Sequence, residues 1–126
     1  MKHTWSKQLN EIKASKDNFV EFIKFAKDAL ELDFVKIKLL RKRHENMTAA
    51  CYNPNTKETQ VYIKGRAFAD VCRSIAHELV HQKQDEEGRL NSPKDGETGS
   101  DIENEANAGA GILMRKFGKL VNDLYD

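Results

Sequence analysis

Long apolar runs are missing from this chain. No stretch approaches the ~20 residues that span a bilayer, and residues 1–18, MKHTWSKQLNEIKASKDN, lack the hydrophobic core that a secretory signal needs. Neither a membrane partner nor secretion by that route is expected, and the expected location is the cytoplasm. Cysteine is almost missing too. Cys51 and Cys72 are the only two; they fit neither a disulfide framework nor a metal-binding spacing and read as small buried hydrophobes of a reducing compartment. An excess of charge is also absent. With 21 basic and 20 acidic residues the formal charge is +1, so global charge points to no nucleic-acid partner. Internal repeats and low-complexity segments are lacking. Histidine is scarce, four in 126 residues, yet two of the four fall in one short run, SIAHELVHQKQ at 74–84.

At this length one domain is expected over 1–126, with 1–15 a peripheral N-terminal extension. From Ser15, which can cap, Phe19, Phe22, Ile23, Ala26, Ala29 and Leu30 recur at helical spacing, predicting a helix over roughly 16–31. Residues 4–14 either extend it or form a short helix of their own. The period changes at Asp33. Phe34, Val35, Ile37 and Leu39 alternate partly with lysines, which predicts a strand. MTAACY (47–52) and TQVYIKG (59–65) read as a hairpin about the turn NPNTKE (53–58). A long helix over 66–87 follows, carried by Phe68, Val71, Cys72, Ile75, Leu79 and Val80, with Gly88 as its stop. Residues 88–99 are loop. A last helix opens at Ser100 and is expected to end near Gly118. The order predicts an α+β domain with a small antiparallel or mixed three-stranded sheet.

The two clustered histidines belong to His77-Glu78-x-x-His81. Histidines four apart lie one above the other on a helix face, so their ring nitrogens can converge on one ion. Zinc accepts neutral imidazole, and a catalytic site leaves one coordination position open for water. Glu78 lies beside that position, where a carboxylate can take a proton from water and pass it to a leaving amine. The helix itself is predicted by the apolar residues, independently of this motif.

Downstream, Glu103-Asn104-Glu105-Ala106-Asn107 fits the frame E-x-x-[AS]-[DN]. The pair of motifs resembles the gluzincin metallopeptidases, and the spelling E-x-E-A-N is similar to that of the small ImmA/IrrE-type domains. The element order over roughly 16–118 looks like that of the smallest gluzincins: leading helix, compact sheet, HExxH helix, glutamate helix. The resemblance implies a zincin-like fold, a Zn²⁺ cofactor held by His77, His81 and Glu103, Glu78 as general base and acid, and a peptide or protein substrate. A chain this small looks like a phage- or mobile-element product, which would make it cytoplasmic or virion-associated. Glu105 is the rival ligand; on a helix it points about 200° from Glu103, and Asn107, one turn beyond Glu103, is expected to hold a ligand imidazole. Ser100 and Glu103 also spell a capping box, which would fold the same carboxylate back onto the helix start. The family pattern commonly has a small residue after the second histidine, where this chain has Gln82-Lys83-Gln84.

Ala106, Ala108, Gly109, Ala110 and Gly111 are expected to let the two motif-bearing helices approach closely. The strand Thr59–Lys64 is the expected edge for an added substrate strand. Tyr52, Tyr62, His44 and Arg115 are candidates for stabilising an oxyanion. The basic run KIKLLRKRH (36–44) lacks interleaved aromatics and reads as a solvated strand and turn. The alternative to an enzyme is a binding or structural protein in which zinc stiffens the fold without turnover.

Overall fold

The computed structural model describes residues 16–42, 49–90 and 100–125, with side chains to residue 120. The expected helix within 4–14, the Ser15 cap of the helix that follows and His44 fall outside them. Among the described residues, three helices and a three-stranded mixed sheet make an α+β fold: α1 Lys16–Ala29, β1 Lys36–Leu40, β2 Ala50–Asn53, β3 Glu58–Tyr62, α2 Phe68–Glu86 and α3 Asp101–Tyr125.

Helix α1 buries Phe19, Phe22 and Ala26, the apolar face read from the sequence. It stops two residues before the expected end. Leu32 N–H bonds the Lys27 carbonyl at 3.0 Å and Glu31 N–H bonds that of Asp28 at 3.2 Å, with Glu31 at φ 56°. That is a Schellman closure with glutamate in the left-handed position, and it drops Leu32, 5% exposed, into the core.

The sheet order is β1-β3-β2. β2 and β3 form the expected antiparallel hairpin, Ala50 opposite Val61 and Asn53 opposite Glu58, and β1 runs parallel to β3. Thr59 and Val61 are fully buried on the helix-facing side of β3. β3 is therefore the central strand. The expectation that it offers a substrate edge is corrected: the edges are β1, whose Lys36 and Lys38 are exposed, and β2. Parallel pairing of β1 decides this, because it occupies the side of β3 that the hairpin leaves open.

Helix α2 packs on α1, α3, β2 and β3 and buries ten of its residues, from Phe68 to Gln84. Its end follows the predicted Gly88. Gly88, at φ +73°, donates to the Asp85 carbonyl at 2.9 Å, and Arg89 donates to that of Gln84 at 2.8 Å. This second Schellman closure turns Arg89 back along the helix.

Helix α3 runs through Gly118 rather than ending there. A helical glycine costs about 1 kcal/mol, but Phe117 is anchored on Phe22 and Phe25, with ring centroids 4.9 and 5.4 Å apart. Tertiary packing overrides the local signal. The run of small residues has one packing face, not two. Ala106 and Ala110 are buried against α2, and a Cβ on Gly109 would lie 2.9 Å from a Val80 methyl. Ala108 is exposed, and a Cβ on Gly111 meets nothing within 4 Å. The two glycines therefore predict opposite outcomes. Gly111→Ala should raise stability by about 1 kcal/mol through helix propensity, roughly 4 °C in thermal melting for a domain of this size. Gly109→Ala should lose stability, because the stiff Val80 side chain must shift and overpacking costs about 1–3 kcal/mol.

Candidate metal centre

The close approach of α2 and α3 brings the two sequence motifs together. On α2, Arg73, His77 and His81 follow one another at four-residue intervals, a single stripe along the helix. Glu103 reaches this stripe from the first turn of α3. Its Oε1 is 2.7 Å from His77 Nε2 and its Oε2 is 3.1 Å from His81 Nε2. The two Nε2 atoms are 3.1 Å apart, with the rings edge-on at 82°. Among the described residues, His77, His81 and Glu103 are the group whose ligand atoms all lie within 4.8 Å of one another.

Ser100 caps α3 by accepting the Glu103 N–H at 3.1 Å. The Glu103 carboxylate reaches both imidazoles, one oxygen to each.

Glu105, the rival ligand, points elsewhere. Arg89 holds both its oxygens at 2.8 Å, and this pairing lowers the Glu105 carboxyl below its usual value, with help from Gln84. Gln84 is the residue that sequence reasoning missed. Fully buried, it donates its amide N–H to the Ile102 carbonyl at 3.0 Å and to Glu105 at 3.1 Å. Both partners are pure acceptors, so the orientation of the amide is fixed. Its oxygen therefore faces His81 Nδ1, at 2.7 Å, and His81 must carry its proton on Nδ1. In the neutral ring Nε2 is then the lone-pair nitrogen, and it lies 3.1 Å from the Glu103 carboxylate. Two imidazole nitrogens and a carboxylate this close together are a donor set that could hold a cation. The signal in the sequence was positional: Gln84 stands three residues after His81 and seven after His77, on the same side of α2. Gln82, equally buried, is directed away, donating to the Phe34 carbonyl at 2.8 Å and to Glu86 at 3.1 Å. Asn107 does not take the expected role. It is exposed on α3, and no hydrogen bond joins it to either imidazole among the described residues.

Glu78 lies on the sheet side of the stripe, 12% exposed, with one oxygen 4.0 Å from His77 Nε2. Burial raises its carboxyl above the usual value; the two histidines and the Tyr52 backbone N–H oppose the rise, and Glu103 adds to it. A raised carboxyl suits a group that must accept a proton and then release it near neutrality.

A cleft of about 450 Å³ opens over these groups. Its lining includes Arg73, Ser74, His77, Glu78, His81 and Glu103 on the helix side, and residues 49–52 on the other. β2, not β3, is thus the strand beside the site. Ala49 accepts the Tyr62 N–H at 2.9 Å, and by the antiparallel alternation Ala50 and Tyr52 turn their backbone groups away from β3, the Tyr52 N–H bonding Glu78. The Tyr52 hydroxyl is committed elsewhere, donating to Asp85 at 2.7 Å, where Lys57 also binds. These bonds tie the edge strand to the end of α2, and they argue against Tyr52 as an oxyanion donor. Tyr62 is not part of the cleft lining. Arg115 stands twelve residues beyond Glu103, about 18 Å along α3. The cationic side chain that does line the cleft is Arg73.

No helix among the described residues is long and apolar enough to cross a membrane. Comparison with protein-family models, with curated proteins and with solved structures found no match for the chain.

Proposed function

We propose that the chain is a minimal zincin-like zinc metallopeptidase of gluzincin type, hydrolysing peptide bonds in a peptide or protein substrate. The observation that carries this reading is the convergence of His77, His81 and Glu103, with Glu78 beside them and the His81 ring oriented by Gln84. Two imidazoles and a carboxylate are a donor set that favours zinc and leaves a fourth position open. Bound there, zinc would act as a Lewis acid towards water and the scissile carbonyl.

The chain's own residues account for the rest. Glu78 takes a proton from the attacking water and returns it to the leaving amine, which makes the broken bond irreversible in practice because the amine departs protonated. The outward backbone groups of Ala50 and the Tyr52 carbonyl offer an extended substrate main-chain hydrogen bonds, so a peptide would add as a strand to β2. The cleft walls exclude part of the bulk water from the reacting groups and strengthen their interactions.

Zinc titration of purified apo-chain tests the metal premise. One equivalent should bind. Glu103→Ala should weaken binding by roughly 100-fold or more, whereas Glu105→Ala, which removes only a distant support, should weaken it by less than about tenfold. Equal losses in the two variants would refute the assignment of Glu103.

A further inference from the structure

We infer that Arg73 and Ser74 form a carboxylate-binding subsite beside the scissile bond, so that the cleft selects substrates with an acidic group at that position. The inference rests on the metallopeptidase reading and adds a substrate class to it.

Ser74 lies one turn before Glu78 and three residues before His77, and both it and Arg73 line the cleft. Arg66 fixes Ser74 in place. Its guanidinium donates to the Tyr62 carbonyl at 2.8 Å, to the Asp70 carbonyl at 3.0 Å and to Ser74 Oγ at 2.6 Å. With its oxygen accepting from Arg66, the Ser74 hydroxyl has its own proton left to donate, and that proton meets no acceptor among the described residues. Arg73 is exposed, and among the described residues its guanidinium has neither an ion pair nor a hydrogen bond. Arg66 and Arg89, which flank it along the chain, are both held by several acceptors.

The result is a wall with unengaged donors on Arg73 and Ser74, next to a centre whose charge a bound divalent cation would balance. A divalent cation offsets Glu78 and Glu103, and the Arg73 charge is then uncompensated. A planar guanidinium with a neighbouring hydroxyl matches a carboxylate. The place is defined as well. Arg73 and His77 are four residues apart, about 6 Å along α2, while an extended peptide advances roughly 3.3 Å per residue. The recognised carboxylate belongs to the first or second residue from the scissile bond, either as an acidic side chain or as a free C-terminus.

Calorimetric titration of the zinc-loaded chain with malonyl hydroxamates tests this without requiring turnover. One pair is extended by glutamate amide or glutamine amide, the other by alanine with a free or an amidated terminus. In at least one pair the acidic member should bind about tenfold more tightly, and the pair that shows it identifies the source of the carboxylate. Arg73→Ala should abolish the preference and Arg73→Lys should keep part of it, with zinc stoichiometry unchanged in both. Equal affinities within both pairs, or a preference that survives in Arg73→Ala, overturn the subsite and leave the metal centre standing. Failure of all four compounds to bind in a zinc-dependent way overturns the metal reading and the subsite with it.

Discussion

Glu78→Gln should abolish peptide cleavage while leaving zinc bound. The substitution keeps the shape of the side chain and removes its ability to hold and release a proton. Proton transfer by a positioned group contributes roughly 10²–10⁴-fold to rate, so digestion of a complex peptide mixture, followed by mass spectrometry, should fall to background. Glu78 stands 4.0 Å from His77 Nε2 and is outside the converging trio, so zinc stoichiometry and affinity should stay near those of the parent chain. The same pair of measurements separates the enzyme from its rival. A protein in which zinc only stiffens the fold would show no cleavage in the parent chain either. If Glu78→Gln cleaved as well as the parent, general-base chemistry at this residue would be refuted.

The second large effect is expected at Gln84. Its three hydrogen bonds link His81 to α3 and, through Glu105, to Arg89. Gln84→Met preserves length and volume but removes all three. Zinc affinity should fall by about 10–100-fold, the usual cost of losing an orienting partner of a ligand imidazole. Stability should fall by about 2 kcal/mol, since buried partners lose their bonds. Gln84→Glu separates the two effects. It can still accept from His81 Nδ1, but it can no longer donate to Ile102 and it sets a second carboxylate against Glu105. Most of the zinc affinity should survive and most of the stability loss should remain, read by chelator competition and by thermal melting. Loss of zinc affinity to the same extent in both variants would show that Gln84 acts only as packing.

The fold was legible in the sequence where the signal was local and repeated. The apolar spacing of Phe19, Phe22 and Ala26, the turn before Glu58 and the stop at Gly88 all predicted elements that the structure contains. What escaped was set by long-range contacts. The parallel partner of β3 is 22 residues earlier in register, and no period in the chain announces it, so the exposed edge was assigned to the wrong strand. Gly118 looked like a terminator because glycine is a poor helix former; the Phe117 contacts that keep the helix going come from α1. In the site, motif spacing pointed to His77, His81 and Glu103, and the structure brings these three together. Asn107 was placed by the helical period, which names a side of α3 but not what faces it. Gln84 and Arg73 were the reverse case. Their positions on α2 were visible, but only the third dimension shows that one meets His81 and the other lines a cleft.

The brevity of β2 has a consequence of its own. An unpaired strand margin invites other chains to pair with it, and natural proteins keep such margins short. With four residues, of which alternate ones face outwards, β2 gives a neighbouring copy too little ladder for amyloid-like growth. The same economy limits how firmly any guest segment can be gripped by its backbone. In the proposed peptidase, discrimination would then pass to side chains and to the reacting centre, and loosely held products would leave quickly.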